Sequence, residues 1–349
     1  YPAAPGSALI GIKFFVSLSG MAYPLLVVHN ANNGNWKLNV IIPCYNEAGN
    51  IELMHEKLTE CLKDIKYELI FINDGSKDET ENIIKEIYIK DKKHVRFINF
   101  SRNFGKDAAM YAGLTHANAE YTVIVDGDLQ QNPSYLLKML NFLEENPDYD
   151  QVAMINTKRS NESALARFLK GGFYKFINII SDTKFKNGVS DFRMFRKEMV
   201  DAIISLTENN RFSKGIFSWV GFKTKYMPYN VEERHAGKSN FNITKSFKYA
   251  WDGIVNFSNK PLRIATVIGS LTSIGAFIYL IIIIIKTLIK GIDVPGYASI
   301  ISLILLFGGL NLLAIGILGE YIAKMHIEIK KRPIYIAKYT LGFDEDDVL

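Results

Sequence analysis

Asp126 and Asp128 stand two residues apart directly after the apolar run Tyr121–Val125, and Gln130 follows at the same spacing. Two carboxylates held that close repel unless a positive charge sits between them. A divalent cation supplies that charge, and Mg2+ or Mn2+ prefers oxygen ligands that it shares with substrate phosphates. Asp126, Asp128 and the carbonyl oxygen of Gln130 are therefore the candidate metal ligands. Aspartate is also common in ordinary turns, so the position at a strand end is what favours the metal. Three other apolar runs end in equally polar sequence: Pro43-Cys44-Tyr45-Asn46-Glu47, Asn73-Asp74-Gly75-Ser76 and Ser101-Arg102-Asn103-Phe104-Gly105-Lys106. In open α/β sheets ligands bind beyond the carboxyl ends of the strands, where these four segments fall. The chain has no G-x-G-x-x-G after its first strand and no G-x-x-x-x-G-K-[ST], which argues against a dinucleotide or P-loop site.

Short β-branched runs alternating with helical periods must position these residues. The pattern predicts strands over Leu38–Ile42, Glu68–Ile72, Val95–Asn99, Tyr121–Val125 and Val152–Thr157. Helices are predicted over Asn50–Asp64, Glu79–Lys90, Asp107–Ala117, Pro133–Glu145 and Ala164–Ile180. Such alternation is the sequence form of a parallel sheet with crossover helices.

The C-terminal third reads differently. No charge interrupts Ile264–Ile285 or Val294–Gly319, and each run exceeds the roughly 20 residues that cross a bilayer core as a helix. The unbroken block Ile281–Ile285 has no polar face, which a helix in water rarely tolerates. Lys245, Lys248, Lys260 and Arg263 precede the first run, and Lys324, Lys330, Lys331 and Arg332 follow the second. Only Lys286 and Lys290, with Asp293, lie between them. Basic residues mark the cytoplasmic ends of short loops, so a hairpin with both ends and the large N-terminal domain in the cytoplasm is expected. Phe247, Ala250, Trp251, Ile254, Val255 and Ser258 share one helical face ahead of the first span, the pattern of a helix lying in the membrane interface.

The expected organisation is a leader of unassigned role (1–36), a catalytic domain (37–242), an interfacial helix (243–260), a transmembrane hairpin (261–322, spans near 264–285 and 297–319) and a cytoplasmic C-terminal segment (323–349). The leader holds a 15-residue apolar stretch, Phe14–Val28, broken by Gly20 and Pro24. Cys44 and Cys61, the two cysteines, form neither a disulfide framework nor a zinc spacing and read as small apolar residues. A net charge of +5 with 12% aromatic residues gives no reason to expect nucleic acid as a partner.

Taken in order, Pro43-Cys44-Tyr45-Asn46-Glu47, Asn73-Asp74-Gly75-Ser76, Asn103-Phe104-Gly105-Lys106, Asp126-Gly127-Asp128-Leu129-Gln130, Asp191-Phe192-Arg193, Ser218-Trp219-Val220-Gly221-Phe222 and Glu233-Arg234-His235-Ala236-Gly237-Lys238-Ser239 resemble the motifs of family 2 glycosyltransferases of the polyprenyl-phosphate type. The likeness runs from about Lys37 to Leu341 and includes the hairpin. Two departures, Gly127 where many relatives have Ala and Gln131-Asn132-Pro133 where Asp-Pro-Pro is common, leave the metal ligands intact.

The resemblance implies an α/β, GT-A-like nucleotide-binding domain with a mostly parallel sheet, followed by the interfacial helix and the two-helix hairpin. It implies an inverting, metal-dependent transfer of one hexose or N-acetylhexosamine, glucose or GlcNAc first, from a UDP-sugar to undecaprenyl phosphate at the cytoplasmic membrane of a bacterium. Pro43, Tyr45, Glu47, Asp74 and Asp126 would bind the nucleotide, with Tyr45 packing on the base and Asp74 accepting from uracil N3–H. Asp126, Asp128 and Gln130 would hold Mg2+ or Mn2+. Arg193, Arg234 and Lys238 would bind the acceptor phosphate, arginine because its planar fork suits phosphate oxygens; the alternative for Arg234 and Lys238 is that they face anionic headgroups. Asp191 and Asp128 would be catalytic, Asp191 either as a base or by orienting Arg193. His235 reads as a solvated loop residue. A processive polysaccharide synthase is the rival, but Trp219 lacks the Gln-x-x-Arg-Trp context that such enzymes carry. A non-catalytic scaffold or flippase partner would not need the aspartates. A short hairpin with much uncovered surface invites homo-oligomers.

Overall fold

The computed structural model describes residues 36–156, 188–232, 260–290 and 296–343, with Val255 and Ser258. The leader up to residue 35, the expected helix Ala164–Ile180, most of the expected interfacial helix, and Arg234, His235 and Lys238 lie outside the described residues.

The first eight elements alternate as the apolar pattern predicts: β1 (Leu38–Cys44), α1 (Ile51–Leu62), β2 (Tyr67–Asn73), α2 (Thr80–Lys90), β3 (Val95–Phe100), α3 (Lys106–His116), β4 (Tyr121–Ile124) and α4 (Ser134–Glu145). β5 (Gln151–Asn156), β6 (Val189–Arg196), α5 (Lys197–Ile204), α6 (Ser213–Trp219) and β7 (Thr224–Tyr229) follow. Together with a last strand, β8 (Ala337–Leu341), they build one sheet in the order β7-β5-β6-β4-β1-β2-β3-β8. β1 to β4 are parallel, whereas β6 and β8 run antiparallel to their neighbours. The sheet is GT-A-like: mixed, with a parallel centre formed by β1 to β4.

Both faces of the sheet are apolar because both are covered. Leu38, Val40 and Ile42 pack with Ile51, Met54, Leu58, Leu136 and Leu143 of α1 and α4. Ile41, Ile70 and Ile72 pack on the opposite face with Ala109, Ala112 and Leu114 of α3 and Met199 and Val200 of α5. This two-sided burial leaves the carboxyl edge of β1 to β4 as the open end of the layer.

Two apolar helices follow: α7 (Lys260–Lys290, 31 residues) and α8 (Tyr297–Ile329, 33 residues). Lys260–Lys286 and Leu306–Ile329 are each long and apolar enough to cross a membrane. Leu271 is 65% and Leu312 73% exposed, as are neighbours all along both helices to similar degree. Apolar exposure on this scale has a stable home in lipid rather than in water. α8 continues past the expected end at Gly319 because Glu320–Ile329 contains no glycine or proline, and Pro333 comes only after the helix has stopped. Val255 and Ser258, assigned by sequence to a lipid-facing surface, are instead buried in protein, and Tyr321 of α8 donates a hydrogen bond to the Ser258 carbonyl at 2.6 Å.

The C-terminal segment adds a strand to the sheet. The chain returns from the two apolar helices to the sheet, where β8 pairs antiparallel with β3. β3 would otherwise be an edge strand with unpaired backbone groups. Tyr335 stacks on Phe100 with centroids 4.9 Å apart, and the Tyr339 hydroxyl donates to Glu81 at 2.7 Å. The catalytic unit therefore includes residues on both sides of the hairpin in sequence.

Candidate active site

The β4–β6 register builds the centre of the site. Ile124 pairs with Arg193, so two residues further along each antiparallel strand Asp126 and Asp191 come opposite each other. Both fall on the α3 side of the sheet, because Ile124 belongs to the core shared with α3. Lys106, the first residue of α3, fills the space between them: its Nζ lies 2.5 Å from Asp126 Oδ1 and 2.9 Å from Asp191 Oδ2. The Lys106 side chain is 42% exposed, so the ammonium faces the opening as well as the two carboxylates.

This charge arrangement shapes the proton affinities. Desolvation in the cleft works against the Lys106 charge, but Asp126 and Asp191 outweigh it and raise its pKa well above the lysine range. Burial pushes Asp191 toward the neutral acid, and Lys106, Lys214 and Arg193 together overcome that and hold it far below the usual carboxylate range. Asp191 is therefore a firmly ionised carboxylate. Its Oδ1 is buried with no hydrogen-bond partner among the described residues.

The loop after β4 presents its oxygens by alternation. Asp126, Asp128 and Gln130 are partly exposed, whereas Val125, Gly127 and Leu129 between them are buried. Leu129 takes φ +60, a left-handed turn that the surrounding packing holds. Asp126 Oδ2 accepts from Gln131 Nε2 at 2.9 Å, and Asp128 Oδ1 accepts from the Gln130 amide at 3.2 Å. A methyl group at Gly127 would lie 3.3 Å from the Pro43 carbonyl oxygen, close enough that alanine needs only a small adjustment there. Among the described residues no group of three or more His, Cys, Asp or Glu side chains forms a closed metal site. The donor set is two carboxylates and an amide oxygen, all hard ligands. It fits an Mg2+ or Mn2+ ion that takes its remaining ligands from a bound diphosphate, not one caged by protein alone.

The segments after β1 and β2, expected to bind the nucleotide, form one laced surface. The Asn46 amide donates to Ser76 Oγ at 2.9 Å, the Lys77 amide to Asn46 Oδ1 at 2.8 Å, and the Glu47 amide to Thr80 Oγ1 at 2.9 Å. Tyr45 is exposed at 39% with its ring open to a ligand, and Pro43 and Glu47 are half-buried beside it. Asp78 accepts from the Thr80 amide and hydroxyl at 3.1 and 2.6 Å, capping the start of α2.

Asp74, expected from the resemblance to bind the nucleotide, also makes contacts within the protein. It is only 3% exposed, and its carboxylate accepts from the Phe104 amide at 2.6 Å and from the Gly105 amide at 3.0 Å. Burial raises its pKa, and these two amides oppose the rise. Asp74 thus holds the loop that delivers Lys106. Gly75 beside it has φ +64, and a Cβ there would come within 2.4 Å of the Arg102 carbonyl carbon. Gly75→Ala is expected to push the 102–105 backbone away and displace Lys106. UDP affinity and transfer should fall together by about tenfold or more, since a left-handed non-glycine residue alone costs on the order of 1–2 kcal/mol. Calorimetric titration with UDP checks this.

Arg193 is buried at 4% exposure, with its Nε donating to the Ser190 carbonyl at 3.1 Å and its guanidinium 4.9 Å over the Phe217 ring. Its charge reaches the site through Asp191. Glu232 ties the segment after β7 to the β4 loop: its amide donates to the Gln130 carbonyl at 3.0 Å, and Asn132 Nδ2 donates to its carboxylate at 2.6 Å. Cys44 is buried, and burial pushes its thiol pKa up, as it does for Cys61. Both behave as the inert packing residues that the sequence suggested.

The sequence pattern groups Asp126, Asp128 and Gln130 in one loop but gives Lys106 no role. The signal was there, since a lysine at a helix start after a strand end is a phosphate-side position, but its partner Asp191 is identified only by the antiparallel register.

The chain is similar to known proteins along most of its length. Residues 39–204 match Glycosyl transferase family 2, and residues 260–325 match the GtrB C-terminal hairpin. The chain is 43% identical over 304 residues to CsbB of Bacillus subtilis, covering 86% of this chain and 91% of that one. It is 40% identical over 304 residues to a prophage bactoprenol glucosyl transferase homolog of Escherichia coli, covering 86% and 98% of the two chains. Against the SfII prophage-derived bactoprenol glucosyl transferase of Shigella flexneri the identity is also 40%, with 86% and 97% covered. The crystal structure of Mycobacterium tuberculosis glucosyl-3-phosphoglycerate synthase is similar at a TM-score of 0.43 with 18% identity, over 63% of this chain and 78% of that one.

Proposed function

The chain belongs to glycosyltransferase family 2, and from that membership and the site geometry we propose that it moves one sugar from a UDP-sugar to undecaprenyl phosphate at the cytoplasmic face of a bacterial membrane. The observation that carries this reading is the Lys106–Asp126–Asp191 cluster at the open end of a nucleotide-type sheet, in a chain whose next two helices are long and apolar enough to span a bilayer. Relatives at 40% identity bear the name bactoprenol glucosyl transferase, which supports a polyprenyl-phosphate acceptor and makes glucose the first donor sugar to test, with GlcNAc next.

The chemistry follows from the charges. A lipid monophosphate is already anionic at neutral pH, so it needs positioning more than deprotonation. An ionised Asp191 paired to Lys106 is a weak proton acceptor, and we read it as the anchor that sets the ammonium in place rather than as a base. One acceptor phosphate oxygen attacks C1 of the sugar from the side opposite the diphosphate; the new C1–O bond forms as the bond from C1 to the β-phosphate oxygen breaks, UDP departs, and the anomeric centre inverts. Asp126, Asp128 and Gln130 would hold Mg2+ or Mn2+, which when bound neutralises charge on the diphosphate. Tyr45 and Glu47 form the nucleoside platform, and Arg234 and Lys238 remain the acceptor-phosphate candidates. The eight basic residues flanking the hairpin against two within it support a cytoplasmic catalytic domain.

The test is a donor panel. Purified protein with undecaprenyl phosphate should move label from UDP-glucose or UDP-GlcNAc into the lipid fraction and leave GDP-mannose untouched. Transfer from the GDP-sugar alone would contradict the assignment of Tyr45 and Glu47 to a uridine platform.

A further inference from the structure

The last turn of α8 contains a charge that helix formation does not explain. Glu328 sits two residues before the C-cap Lys330, at the negative end of the helix dipole, where an anion is unfavourable. Its carboxylate is occupied: the Asn209 amide donates to Oε1 and Oε2, both at 3.0 Å, the Asn210 amide donates to Oε1 at 3.0 Å, and Asn210 Nδ2 donates to Oε1 at 3.2 Å. These donors belong to the loop between α5 and α6. The same loop leads into Ser213, whose amide is held by Asp107 Oδ1 at 2.9 Å. Asp107 is the neighbour of Lys106, so an unbroken run of contacts joins the end of a membrane helix to the ammonium between Asp126 and Asp191.

We propose that Glu328 is a positioning residue that fixes the active site at a set height and tilt above the bilayer. A rigid body held to the hairpin by one tether can still rock. Pairing of β8 with β3, extended by the Tyr335–Phe100 stack, is one tether, and Lys330–Pro333 separates it from the end of α8. Glu328 adds a second attachment on the α5–α6 side, near α3. Height matters because reaction requires the phosphate oxygen and C1 to approach within about 3–3.5 Å, and a misplacement of about 1 Å costs on the order of a hundredfold. An acceptor fixed in a bilayer has no freedom to follow a site that rocks, whereas a dissolved acceptor does. The inference rests on the lipid-phosphate reading above.

The experiment compares full-length wild type, Glu328→Ala and Glu328→Gln in lipid nanodiscs, using undecaprenyl phosphate in the bilayer and a short water-soluble prenyl phosphate. Glu328→Ala should lower kcat/KM for the bilayer acceptor by about tenfold or more, the range expected when hydrogen bonds to a charged group are lost. Turnover of the soluble acceptor and UDP affinity should stay within about twofold of wild type. Glu328→Gln retains an acceptor oxygen for the Asn209 and Asn210 amides and should recover most of the loss. Equal loss on both acceptors with weakened UDP binding would show a merely structural role and overturn the proposal, as would an unchanged rate on the bilayer acceptor. If wild type glycosylates neither phosphate, the lipid-phosphate reading and this inference fall together, an outcome distinguishable from an active wild type with an indifferent variant.

Discussion

Lys106→Met is expected to lower kcat/KM by about a hundred- to a thousandfold while the protein stays folded, the scale on which removal of one preorganised charge-stabilising donor acts. Methionine keeps the length and most of the apolar contact of lysine but not its charge. Asp126 and Asp191, which the ammonium now bridges at 2.5 and 2.9 Å, would then face each other with no cation between them. Their repulsion would spread the β4 and β6 strand ends, and an incoming UDP-sugar, itself anionic, would meet a more negative cleft. Both binding of UDP and turnover should therefore suffer, turnover more. Arginine at 106 should rescue only part of the activity, because its planar fork cannot reproduce a point charge between two facing carboxylates. The thermal midpoint in detergent reports whether the fold survives, and initial rates with saturating lipid report the rest. Turnover within about tenfold of wild type would reduce the ion pair to a packing feature.

Asp128→Asn should be comparably severe, with a loss on the order of a thousandfold, for a different reason. The asparagine oxygen can still accept from the Gln130 amide, as Asp128 Oδ1 does at 3.2 Å, so the loop keeps its shape and only the charge is lost. Calorimetry with UDP present should show Mn2+ affinity dropping sharply in the variant. EDTA should silence the wild type, and added Mn2+ or Mg2+ should restore it. Full wild-type activity after exhaustive dialysis against EDTA would remove the metal from the account and leave Lys106 as the cation of the site.

The first five strands were legible because each is an apolar run buried on both faces, and the observed β1 to β5 fall within a residue or two of their expected ends. β7 and β8 were not. Thr224–Tyr229 is a half-buried edge strand containing Pro228, and proline inside an apolar run argues against a strand unless the run lies at an edge. Ala337–Leu341 is five residues long and separated from its partner β3 by the whole hairpin, so nothing local marks it. The same limit applies in the site. Alternation along one chain was enough to group Asp126, Asp128 and Gln130, whereas the meeting of Lys106, Asp126 and Asp191 depends on three separate elements. Asp74 shows the converse: its place after β2 is legible locally, whereas the hydrogen bonds its carboxylate accepts from the amides of Phe104 and Gly105 depend on how two loops pack.

The most direct measurement of the central claim is the mass of the lipid formed from UDP-glucose and undecaprenyl phosphate by the purified protein. The account predicts a product heavier than the acceptor by one anhydrohexose, with one phosphate retained, UDP released in equal amount, and no further addition on longer incubation. A product that has gained a sugar phosphate, or a ladder of successive sugars, would contradict it.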